Sequence, residues 1–180
     1  MLVGHGTTQN PDSAAPVLQH AAELRRRRVF AEVREAFWKQ EPQVEGVLAS
    51  LACPRVFIAP LFISEGFFCE QVIPRELGFV RNANNELARA RRRGNSTWLY
   101  CRPVGTHPSM TNVLLERANE VVRRFPFPRA PKTAEISLFI AGHGTEQDSK
   151  SSRVIEEQVM VVIRLHINRI TAGDGFNLPV

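Results

Sequence analysis

Apolar and polar positions along this chain fall into blocks whose spacing switches between that of a strand and that of a helix. A short apolar run, Met1 to Val3, leads straight into Gly4-His5-Gly6-Thr7-Thr8. After a polar stretch, Ala14, Val17, Leu18, Ala21, Ala22 and Leu24 recur at helical spacing, and arginines close the pattern as suits a helix C-terminus. Val29 to Trp38 alternates as a strand does, Glu41-Pro42 ends it, and Val44 to Leu51 predicts the next helix. Arg55 to Phe62 is a continuous apolar run, as in a strand buried on both faces. Ser64-Glu65-Gly66-Phe67-Phe68 predicts the loop that follows, and Glu70 to Leu77 a helix broken around Pro74. Asn82 to Asn95 is polar and arginine-rich and reads as a surface excursion. Leu99 to Val104 predicts a further strand ending in Gly105-Thr106-His107-Pro108, and Thr111 to Arg124 an amphipathic helix.

Strands alternating with helices imply parallel strands joined by right-handed crossovers. Residues 1–125 therefore predict one four-stranded, parallel α/β half-domain. Residues 126–133 read as a proline-stiffened linker. From there the chain begins to repeat itself. An apolar run from Ile136 to Ala141 leads into Gly142-His143-Gly144-Thr145-Glu146-Gln147, a second version of Gly4 to Gln9, and Ser151 falls at the offset of Ser13. Residues 134–180 thus read as the start of a second half without a counterpart of the Arg55 to Phe62 strand. A strand–helix–strand piece cannot bury both faces of its sheet. It is expected to pack on the first half, to exchange with another protomer in a homodimer, or to be partly disordered.

Composition narrows the classes. Of 180 residues, 43% are apolar, which predicts a globular fold. No apolar run is long enough to span a bilayer, and the N-terminal residues do not form a signal peptide, so no membrane partner is expected. Three single cysteines without a CxxC pair argue against a disulfide framework or a thiolate zinc site, and a cytoplasmic protein is expected. The formal net charge of +5 comes largely from Arg25 to Arg28 and from Arg89, Arg91, Arg92 and Arg93. These arginines either coat solvated helix ends or attract a polyanion. With one tyrosine and no RNP, KH or zinc-finger pattern, nucleic acid is not the expected partner.

In open parallel sheets, ligands bind beyond the carboxyl ends of the strands. His5, His143 and His107 follow apolar runs at such ends, and Glu65 with the Phe67-Phe68 pair follows another. The glycines on either side of His5, Gly4 and Gly6, permit a sharp turn and close approach of a ligand, and imidazole ligates cobalt, iron, nickel and zinc. Each residue has a plainer reading: His5 and His107 as turn-ordering hydrogen bonders, Glu65 and Glu70 as surface residues, Phe67 and Phe68 as core. A phosphate-binding role is weakened by the absence of GxxxxGK[ST] and of a full GxGxxG, so no nucleotide is expected.

Three segments in order resemble the CbiX/SirB class II chelatases, the sirohydrochlorin cobaltochelatase and ferrochelatase family. They are the strand-end Gly-His-Gly-Thr, Val56 to Leu77 (VFIAPLFISEGFFCEQVIPREL), and Arg102 to Ala118 (RPVGTHPSMTNVLLERA). The resemblance implies a flavodoxin-like three-layer α/β fold and ATP-independent insertion of a divalent metal into sirohydrochlorin in cobalamin or siroheme synthesis. The metal would be Co²⁺ foremost, with Fe²⁺ or Ni²⁺ as alternatives. It implies His5 as metal ligand, with His143 as its counterpart in the second copy, and Glu65 or Glu41 as the base. Gly4, Gly6, Ser64, Phe67, Phe68 and His107 would line the tetrapyrrole site. The family carries a second active-site histidine in the loop after the Pro-Leu-Phe strand, and the matching position here is Phe68. That departure opens an alternative: a chelatase-like protein that binds metal or tetrapyrrole without turnover.

Overall fold

The structure, a computed structural model, describes residues 1–126, 128–132, 135–140, 156–157 and 159–160. It divides into two compact units, Met1–Thr106 and His107–Val180. The first unit is built on a five-stranded sheet in the order β2-β1-β3-β5-β4, with β1 Leu2–Gly4, β2 Glu35–Phe37, β3 Arg55–Pro60, β4 Ala90–Arg93 and β5 Ser96–Tyr100. The four expected parallel strands, β2-β1-β3-β5, are all present, although β5 starts and stops earlier than Leu99 to Val104 predicts and Val104–Thr106 forms a 3₁₀ turn.

The fifth strand corrects the reading of Asn82 to Asn95 as a surface excursion. Ala90–Arg93 folds back antiparallel on β5 around Gly94, whose φ is +58°. The strand is hard to read because three of its four side chains are charged. Its pairing comes from the partner: Arg91 and Arg93 lie over the Trp98 ring at 5.7 and 4.8 Å, so the indole supplies the cross-strand contact. Arginines on an edge strand also keep other chains from adding to the sheet. The second strand is shorter than Val29 to Trp38 predicts: residues 29–34 are not strand, and of these the Arg34 carbonyl accepts the Leu2 N–H of β1 at 2.8 Å.

Successive side chains of a strand point to opposite faces, and the core divides accordingly. Leu2 and Phe37 pack with Val17 and Ala21 of α1, Ala15–Arg27. Val3, Ala36, Val56, Ile58, Trp98 and Tyr100 pack on the other face with Val44, Val47 and Leu48 of α2, Val44–Ser50, and with Ile73 of α3, Ile73–Glu76. Helices thus cover both faces, giving the expected three layers. Each large apolar side chain withdrawn in this way contributes about 1.5–3 kcal/mol. The broken helix expected at Glu70 to Leu77 is a π-helical turn, Phe68–Val72, running into α3.

In the second unit, α4 spans Met110–Arg124. Residues 136–140, where the repeat predicts an opening strand, join no strand among the described residues. The repeated Gly142-His143-Gly144-Thr145 lies outside the described residues, as does nearly all that follows it.

One close approach ties the site-bearing loop to the frame. Gly105 N–H donates to the Phe62 carbonyl at 2.9 Å, and a Cβ on Gly105 would lie 2.0 Å from the Ile63 carbonyl oxygen. Backbone sits there, so no side chain can yield to make room. Gly105→Ala is expected to lower unfolding free energy by about 1–3 kcal/mol. Gly46→Ala, on α2 with open space at its Cβ, is expected to raise it by about 0.5–1 kcal/mol. Urea denaturation of the two variants beside the wild type checks both signs.

Candidate functional site

The sheet order reverses direction between β1 and β3. β1 crosses to β2 on one side, while β3 leads to β5 on the other, leaving a crevice beyond the carboxyl ends of β1 and β3. His5 follows β1 there, and the loop 61–67 follows β3. The ladder continues into this region: Leu61 N–H donates to Val3 O at 2.7 Å, Trp38 N–H to Gly4 O at 3.1 Å, and Lys39 N–H to His5 O at 2.9 Å. Both strands flanking β1 therefore hold the residues around the histidine by backbone hydrogen bonds.

The His5 side chain is exposed, and its Nδ1 lies 2.8 Å from the Gly6 carbonyl oxygen. A carbonyl only accepts, so Nδ1 carries the hydrogen, which in the neutral imidazole leaves the lone pair on Nε2. That is the tautomer of a metal-ligating imidazole whose other nitrogen is tied to the protein. Gly6 makes the turn with φ +65°, a conformation that L side chains rarely adopt. The following Thr7 N–H donates to Gln40 Oε1 at 2.9 Å.

Aromatic rings gather around the imidazole. Phe68 meets His5 edge to face at 5.1 Å between centroids, and Phe62 does so at 6.5 Å. Phe68 also contacts Trp38 at 6.2 Å and Phe67 at 6.3 Å. Phe67 is exposed, while Phe68 and Ser64 are half-buried. The rings form a partly open apolar wall beside the imidazole. Ring contacts of this kind are worth about 0.5–1.5 kcal/mol beyond area burial.

The two carboxylates singled out from the sequence have different surroundings. Glu65 is largely sheltered, with Oε1 3.9 Å from an Arg89 nitrogen and 3.8 Å from Arg102 Nε. Glu41 is exposed, and its Oε2 accepts the Gln43 N–H at 3.0 Å. Glu70, read as a surface residue by its plainer reading, is in fact buried and paired with Arg89 at 2.6 Å. His107 falls in the second unit, where its Nδ1 accepts the Ser109 N–H at 3.2 Å and lies 2.8 Å from Ser109 Oγ, ordering the turn before α4. His143 lies outside the described residues. Among the described residues, no three His, Cys, Asp or Glu side chains come together as a metal cage. No helix among them is long and apolar enough to cross a membrane.

The structure thus brings together His5, Gly4, Gly6, Phe67 and Phe68, and adds Trp38, Phe62 and Gln40. The last three are marked in the sequence by position alone: Trp38 and Gln40 stand just past β2, and Phe62 just past β3.

Comparison with known proteins bears on what such a crevice does. The profile of the CbiX family matches residues 1–121. A protein of Halobacterium salinarum named a probable sirohydrochlorin cobaltochelatase is 41% identical over 166 residues, covering 86% of this chain and 55% of that protein. The chain therefore spans about half the length of this curated relative. A solved structure from Deinococcus radiodurans, described as a multi-domain protein with structural similarity to chelatases and two additional novel domains, superposes with a TM-score of 0.70. It is 28% identical, and the match covers 91% of this chain and 35% of that one.

Cys69 offers a probe of the loop. It is buried directly after Phe68, and burial, with the Glu70 charge second, pushes its thiol up to about 12. A raised thiol stays neutral, and hence unreactive, up to that range. Iodoacetamide at pH 8 is expected to modify Cys53 while leaving Cys69 untouched until the protein unfolds. Peptide mass spectrometry reads this directly, and equal labelling of the two cysteines in folded protein would contradict the burial of the π-helical turn.

Proposed function

This chain belongs to the CbiX family, and from that membership we propose that it inserts a divalent metal, Co²⁺ before Fe²⁺ or Ni²⁺, into a sirohydrochlorin-like tetrapyrrole without ATP. The observation that carries the reading is the exposed His5 imidazole at the strand end, with Nδ1 2.8 Å from Gly6 O and the ring beside Phe68. One imidazole leaves most positions on a metal open, which suits an ion that must be handed on.

The chemistry asks little of the protein beyond placement. One M²⁺ enters the macrocycle, two pyrrole N–H protons leave, and four ring nitrogens replace the imidazole and water on the metal. Phe62, Phe67, Phe68 and Trp38 would pack against the macrocycle and keep water from competing for the metal. Arg102, whose side chain is 73% exposed beside Glu65, is suited to a carboxylate of the substrate. Glu41 would act as the acceptor for a departing proton, because it is exposed and makes no ion pair among the described residues, whereas Glu65 lies between two guanidiniums. By its match with the first copy, His143 would serve the second half as His5 serves the first. The setting would be cobalamin or siroheme synthesis in the cytoplasm. The wider organisation proposed with it is a chelatase-like half at 1–125, a linker at 126–133 and a second such half beginning at 134.

A second reading rests on Phe68. By the resemblance in sequence, Phe68 stands where the family carries its other histidine; its ring packs on His5, and on this reading the site would bind metal or tetrapyrrole without turnover. Anaerobic Co²⁺ insertion into sirohydrochlorin, followed by absorbance, separates the two. Turnover above the uncatalysed rate, falling by about 100-fold or more in His5→Ala, is expected for a chelatase. Binding of Co²⁺ without turnover, converted to turnover by Phe68→His, would establish the second reading and overturn the first.

A further inference from the structure

Glu70 and Tyr100 are buried polar groups that the metal-insertion reading leaves without a task. Both belong to one network centred on Arg89, the residue before β4. Arg89 Nη2 donates to Glu70 Oε1 at 2.6 Å and lies 3.9 Å from Glu65 Oε1, while Nη1 donates to the Cys101 carbonyl at 3.3 Å. The guanidinium also stands 5.8 Å over the Tyr100 ring. Tyr100 in turn donates its hydroxyl hydrogen to the Cys69 carbonyl at 2.9 Å, and Arg81 Nη2 donates to the Glu70 carbonyl at 2.7 Å.

These contacts converge on one short stretch. Glu65 and Glu70 are the two ends of the segment that carries Gly66, Phe67 and Phe68, and a single guanidinium faces both. The backbone between them is already folded by a bond from Glu70 N–H to Gly66 O at 3.1 Å. The stretch includes a π-helical turn, a form that persists where surrounding contacts hold it and that recurs at functional sites. Its cargo is the ring that packs on His5.

We propose that Arg89, supported by Tyr100, is a positioning residue: by holding Glu65 and Glu70 together it sets the π-helical turn so that Phe68 bears on the His5 imidazole. The antiparallel hairpin of β4 and β5 then has a functional purpose, which is to deliver Arg89 beneath this turn. Arginine suits the task because a planar fork reaches two carboxylates and a carbonyl at once, which a lysine ammonium cannot do with the same geometry. The effect on turnover rests on the metal-insertion reading, but the effect on His5 does not.

The test therefore pairs two readouts on the full chain. The first is the His5 Hε1 resonance, assigned through His5→Ala, with Phe68→Ala giving its position when the ring is removed. In Arg89→Met it is expected to move most of the way to the Phe68→Ala value at a temperature well below unfolding, and in Arg89→Lys about half way. The second is Co²⁺ insertion, where kcat is expected to fall about tenfold in Arg89→Met with KM changed less than about threefold, since placement rather than binding area is lost. A lost His5 shift in a protein whose wild type shows no turnover would sustain the positioning role and count against the metal-insertion reading. A His5 resonance at its wild-type position in folded Arg89→Met would overturn the proposal. Should Arg89→Met not fold, the same result in Arg89→Lys would overturn it.

Discussion

The site depends on the parallel pairing of β1 with both its neighbours. Hydrogen bonds from Leu61, Trp38 and Lys39 to the carbonyls of Val3, Gly4 and His5 carry the ladder past the strand ends, so His5 leaves a fixed edge rather than a free loop. Because α1 takes Leu2 and Phe37 on one face while α2 and α3 take Val3 and Ala36 on the other, β1 is clamped from above, below and both sides. A residue placed just past such a strand inherits its rigidity.

Around this fixed point the protein mixes chemistries that usually avoid each other. An exposed imidazole stands beside two phenyl rings, and the buried Glu70 carboxylate follows Phe68 by two residues. The carboxylate is tolerated because Arg89 matches its charge at 2.6 Å, and the guanidinium is in turn partly covered by the Tyr100 ring. The same burial pushes the Tyr100 hydroxyl and Cys69 thiol up, keeping both neutral so that Tyr100 remains a hydrogen donor to the Cys69 carbonyl. Apolar wall and polar support are thus one construction, with rings facing the crevice and charges paired behind them.

The arginines, which look alike in the sequence, divide by task. Arg26 and Arg27 embrace Glu23 on the α1 surface, where their hydrogen bonds hold its carboxyl down to about 2. Arg91 and Arg93 cover Trp98 and finish the sheet edge. Arg89 points inward to Glu70, and Arg102 points out beside Glu65. A net charge of +5 therefore conceals structural, protective and site-facing roles that only position separates.

Much of the frame was legible in the chain alone. The continuous apolar run from Arg55 to Phe62 marks a strand, although Phe57 is 42% exposed and only the Val56, Ile58 and Pro60 face is fully buried, which corrects the expectation of burial on both faces. The alternation of strand and helix blocks leaves parallel crossovers as the short connection, so four parallel strands and strand-end His5 follow from local pattern. The π-helical turn was legible only as a break near Pro74, and β4 was not legible, because a strand of three arginines has no apolar alternation and takes its stability from the Trp98 ring across the ladder. Glu70 could not be told from a surface residue for the same reason: its partner Arg89 is far along the chain, and burial with a matching charge is a property of the pair. Short-range periodicity determined which residues turn inward and where the chain bends. Tertiary structure alone decided which ring meets His5 and which arginine meets which carboxylate, since those contacts join segments whose separation along the chain carries no signal of their nearness in space.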